Sequence, residues 1–144
     1  MSEKSVTMIV LPFSELPEKY KKLSKERMIE KEEYPIAEEL LEKAVHSYNE
    51  KQSENFIKYM NENPHADWSK TDLFVDLLEY YRQYIAYTNE KDQRCIWINL
   101  FKRPVGNWLE RRVDVVSDTN DFFSICLNME TGKRFNFTLN EKAL

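Results

Sequence analysis

The sequence predicts an α+β fold: helices first, then a four-stranded antiparallel β-meander packed on a helix. Three observations carry this. The apolar period changes from that of a helix to that of a strand near Asp92. Along the last apolar run Phe135, Phe137 and Leu139 alternate with Arg134, Asn136 and Thr138, as in a half-buried strand. Turn signals separate the runs: Asp118 to Asp121 supplies Asx side chains, and Gly132 supplies a residue free to take positive φ.

The predicted strands are Arg94 to Phe101, Leu109 to Ser117, Phe122 to Met129 and Lys133 to Leu139, all rich in β-branched and aromatic residues. Ahead of them the stretch Val6 to Leu11 has strand composition and stops at Pro12, which suits an edge strand or an apolar arm. Ser14 to Glu33 reads as a narrow, charged helix. Pro35 fits a first helical turn, and Ile36, Leu40, Leu41, Ala44, Val45 and Tyr48 keep a helical period that resumes at Phe56, Tyr59 and Met60. One bent helix or two short ones satisfy that pattern. Ser69 and Asp72 form an acidic capping box, with Trp68 and Leu73 at the staple positions. They predict a helix from Lys70 to Asn89 with Leu73, Phe74, Leu77, Leu78, Tyr81, Tyr84 and Ile85 on its apolar face.

At 144 residues the chain is read as one domain: an arm over 1–33, a helical part over 34–90 and the meander over 91–144. Aromatic residues at 13% and charged residues at 32% describe a globular chain with large core side chains. The first ninety residues hold twelve Lys/Arg against eighteen Asp/Glu, a net −6, and the remainder nine against seven, a net +2. Neither half has the dense basic footprint of a nucleic-acid binder. The two glycines, Gly106 and Gly132, exclude a Gly-rich phosphate loop.

Cys95 and Cys126 lie in apolar strands and read as buried free thiols. His46 and His65 have no His or Cys partner at helical spacing, so neither a metal nor a cofactor is expected. Glu32–Glu33 and Glu38–Glu39 read as solvated helix faces. No apolar run reaches membrane-spanning length, and no leader pattern is seen near Val6 to Phe13, so no membrane partner and a cytoplasmic location are expected.

Both faces of Ile96 to Leu100 carry bulk, because Trp97 and Asn99 alternate with Ile96, Ile98 and Leu100. Such a strand is covered twice, the second time by the N-terminal segment or by a partner. Arg103, Arg111 and Arg112, with Lys102, surround the segment Pro104 to Trp108. They define a candidate interaction surface with Trp108 at its tip, since Arg and Trp anchor many interfaces. The competing, favoured reading tucks Trp108 back against the sheet. Tyr81 and Tyr84 are candidate linings of an aromatic small-molecule pocket between helix 70–89 and the sheet. The expected function is a non-catalytic binding protein for another protein, immunity- or inhibitor-like, with that small-molecule pocket as the alternative.

The C-terminal half resembles small uncharacterised domains of Bacteroidetes bacteria. The resemblance is carried by Trp97, Asn99 and Phe101, then Trp108, Val113 and Val115, Asn120 and Phe122, and last Phe137, Asn140 and Ala143. It implies a shared fold and no activity.

Overall fold

A computed structural model describes residues 7–65, 74–115 and 121–137. Its elements are β1 (Met8–Val10), a short helix α1 (Glu18–Lys21), β2 (Lys25–Glu26), the long helix α2 (Glu33–Glu62), β3 (Tyr81–Thr88), β4 (Arg94–Phe101), β5 (Phe122–Asn128) and β6 (Arg134–Phe135). One mixed sheet holds all six strands in the order β1-β3-β4-β5-β6, with β2 also on β3. Strands β3 to β6 pair antiparallel in chain order, while β1 joins β3 in parallel. The α+β class holds, and the sheet is mostly antiparallel.

The helix predicted from Lys70 to Asn89 is corrected. Its cap signals at Trp68, Ser69, Asp72 and Leu73 lie outside the described residues. Leu77–Glu79 makes one 3₁₀ turn, and Tyr81–Thr88 is a strand pairing with all eight residues of β4. The cause is double burial. Gln83, Tyr84, Ile85, Ala86 and Tyr87 are buried in succession, so the strand has no alternating polar face to announce it. Tyr81, Tyr84 and Ile85 then imitate helical spacing by chance.

The strand predicted at Leu109 to Ser117 is also corrected: residues 109–115 form turns and irregular chain, and 116–117 lie outside the described residues. Phe101 pairs directly with Phe122, so β4 and β5 are neighbours, and Trp108 and Val113 from the chain between them pack on the sheet face. Of the last predicted strand, Arg134–Phe135 pairs with β5 and Asn136 turns away at φ 52°, while Thr138 and Leu139 lie outside the described residues. The charged helix expected over 14–33 reduces to a 3₁₀ turn at Phe13–Glu15, the four residues of α1 and the strand β2. Pro17 stands at the start of α1, where it cannot continue a preceding helix.

The N-terminal edge strand and the helix opened by Pro35 are as the sequence suggested. α2 is one continuous helix of 30 residues, about 45 Å long against the ~27 Å of an eight-residue strand. Only its first half is buried. Ala37, Leu41, Ala44 and Val45 pack on Tyr84, Ile96, Ile98, Leu100, Ile125 and Leu127. Beyond them the Asn49 amide grips the Val75 backbone, Nδ2 donating to its carbonyl and Oδ1 accepting from its N–H, both at 2.9 Å.

The opposite sheet face is covered by the chain itself. Leu11 and Leu16 lie on Ile85, Tyr87, Cys95, Trp97 and Cys126. Trp108 and Val113 close the remainder over Phe101 and Phe122. The second cover is therefore the N-terminal segment together with the β4–β5 connection. Both cysteines are free and buried there.

Candidate functional site

Of the predicted interaction surface, Arg103 and Arg111 stay exposed, Arg112 is partly buried, and Trp108 turns inward. Trp108 is 9% exposed, with its ring edge-on to Tyr81 at 5.2 Å and to Phe101 at 5.7 Å. Its loop is clamped from below by two amides facing each other across β3 and β4. Gln83, fully buried, donates through Nε2 to the carbonyls of Trp108 and Arg111, both at 2.7 Å. Its Oε1 accepts from Val113 N and from Asn99 Nδ2, each at 2.9 Å. Asn99 Nδ2 also reaches the Val113 carbonyl at 2.8 Å. These side chains supply the loop with the hydrogen bonds that a ladder strand would have found in backbone.

The cations around Trp108 have partners of their own. Arg103 meets Asp121 at 3.4 Å and lies over the Phe122 ring. Arg111 Nε is 3.2 Å from Glu15. Arg112 donates its backbone N–H to the Glu15 carboxylate at 2.9 Å and its guanidinium to the Glu15 carbonyl at 2.7 Å. The Arg112 N–H, with the Arg111 charge beside it, holds Glu15 below the usual carboxylate range. Lys102 lies 3.9 Å from Asp121.

The two tyrosines proposed to line one pocket stand on opposite sheet faces. Tyr81 stacks with Phe101 on the Trp108 side, whereas Tyr84 faces α2, edge-on to Tyr34 and donating its hydroxyl to Glu38. Burial, reinforced by that carboxylate, raises the Tyr84 phenol well above its ordinary range. Arg82 joins them, its Nε 2.8 Å from Glu38 Oε1 but off the line of a hydrogen bond. Glu38 is therefore half-buried and engaged, and not one of a solvated pair.

Glu33 departs further from that reading. It is 2% exposed and takes a two-pronged contact from Arg27, at 2.7 and 2.8 Å. Arg27 spends its other donors on the carbonyls of Tyr87, Cys95 and Met28, at 2.9, 2.9 and 3.1 Å. Burial alone would push Glu33 up, but Arg27 and the Glu30 N–H more than offset it and hold the carboxyl below its ordinary range. This pair pins residues 27–30 to the end of the sheet. Sequence reasoning missed it because Arg27 and Glu33 sit in a run of charges indistinguishable from a wet surface.

A groove follows from how β3 is edged. β1 covers Arg82 to Tyr84, and β2 covers Tyr87 and Thr88, leaving Ile85 and Ala86 between them. Beyond β1 the Leu11 N–H still donates to Tyr84 O, at 2.9 Å, and then Pro12 turns the chain away. Arg82 N likewise donates to Thr7 O at 2.7 Å, so the even-numbered residues of β3 present their backbone groups to this edge. By strand alternation Ala86 does so as well. Over it lies a groove of ≈ 530 Å³, lined by Val10, Leu11, Pro12 and Phe13 on one side and Glu26, Arg27, Met28 and Ile29 on the other. Met28 is 85% exposed on its rim.

Among the described residues no cluster of three or more His, Cys, Asp or Glu is placed to hold a metal, and no helix is long and apolar enough to cross a membrane. His46 is exposed and lies 2.7 Å from Glu50, and His65 is exposed in a turn. Comparison with protein-family models, with curated proteins and with solved structures finds no match to this chain.

Proposed function

We propose that the chain is a non-catalytic binding module for another protein, and that it works through the groove over Ala86. The observation that carries this is Met28, a large apolar side chain left in water on backbone that the buried Arg27–Glu33 pair holds fixed. Fixed exposed apolar groups beside a groove are what an interface uses, because little ordering entropy is lost on contact. An immunity- or inhibitor-like role, in which a small acidic protein caps a basic partner, is the concrete form of this reading, and the net −6 of the first ninety residues supports it. The resemblance of the C-terminal half to Bacteroidetes domains adds a proposed kinship of fold.

Panning a random heptapeptide display library against the immobilised protein tests it. Peptides enriched on wild type should be lost on Met28→Asp and kept on Arg103→Ala. Enrichment that survives Met28→Asp, or depends on Arg103, would overturn the assignment to the groove.

A further inference from the structure

The groove has a chemistry more specific than its apolar walls. Two charged residues line it, and one of them, Arg27, is consumed by Glu33 and by three backbone carbonyls. Glu26 is the other, exposed on β2 beside Met28. Opposite it stand Val10, Leu11 and Pro12, and the edge-facing backbone of Ala86 lies between. An aliphatic side chain would fill such walls but strip water from Glu26 with nothing in return. An acidic one would be repelled. A long side chain with a methylene stem and a cationic end satisfies both parts at once.

We propose, resting on the binding-module reading above, that the groove receives a lysine or arginine side chain of the partner protein, its stem against Val10, Leu11 and Met28 and its charge at Glu26. The partner's side chain arrives from outside. The groove is open along its length, and a free small molecule wants far deeper enclosure than this rim provides.

The experiment uses the whole ¹⁵N-labelled chain with two blocked tripeptides, acetyl-Leu-Lys-Leu-amide and its uncharged analogue acetyl-Leu-norleucine-Leu-amide. Amide shifts are followed on wild type and on Glu26→Gln. The lysine peptide should move the amides of Val10, Met28 and Ala86, bind more tightly than the norleucine peptide, and weaken about fivefold on Glu26→Gln, the scale of one partly exposed ion pair. Added salt should erase the difference between the peptides. Equal binding of both peptides at the groove, unchanged in Glu26→Gln, overturns the cation assignment and leaves the groove as a binding surface. Shifts elsewhere, or none at millimolar peptide, overturn the groove itself.

Discussion

Gln83 and Asn99 decide how the second sheet face is closed. Between them they satisfy three carbonyls and one N–H of the loop, those of Trp108 and Val113 buried and that of Arg111 partly so. Gln83→Met keeps the volume and removes the partners, so buried backbone groups are left unpaired. The expected loss is about 3 kcal/mol in urea unfolding, the scale for orphaning buried polar groups. A loss below ~0.5 kcal/mol would mean that the loop finds its bonds elsewhere. Glu33 gives a second test through pH. Its folded pKa is depressed, so its contribution is complete above the ordinary carboxylate range and drains away as pH falls through the folded value. Stability of wild type should therefore decline below about pH 4.5, and Glu33→Gln should be less stable at neutral pH with a shallower acid limb. Parallel pH profiles would contradict the role given to the Arg27–Glu33 pair.

Among the elements, legibility tracked the signals that flank them. β4 and β5 were readable because their apolar residues are long runs between plain turns. Asn89 and Asn128 confirm those turns, each accepting two backbone N–H groups through its side-chain oxygen. Gly132 takes the positive φ its turn demands, 77°. β3 was not readable, because Tyr81, Tyr84 and Ile85 follow a complete helix-capping pattern at Ser69 and Asp72 and keep helical spacing. The groove was beyond reach for another reason: its walls come from residues 10–13, 26–29 and 86, which meet only once β1 and β2 have paired with the same strand. The strand neighbours also set the relation between the two cysteines. Cys126 pairs with Trp97, and Cys95 with Asn128, so the thiols are diagonal neighbours on adjacent strands. Burial pushes Cys126 up to about 11 and raises Cys95 as well. Both thiols should resist a disulfide reagent in the native protein and react together on unfolding in urea. Fast native labelling of either would show that this face opens.

At the scale of the molecule, the sheet is closed by α2 on one side and by its own N-terminal segment and β4–β5 loop on the other. The split edge of β3 is the surface proposed for a partner. The two regions make opposite demands on stability, since Trp108 belongs to the core and Met28 does not. Denaturant unfolding of Trp108→Ala beside Met28→Asp tests this division most directly. Truncating the indole should cost ~3–5 kcal/mol, the scale for a buried large aromatic. Met28→Asp should stay within ~0.5 kcal/mol of wild type, as surface substitutions do. A stable Trp108→Ala together with a crippled Met28→Asp would reverse the assignment of core and working surface.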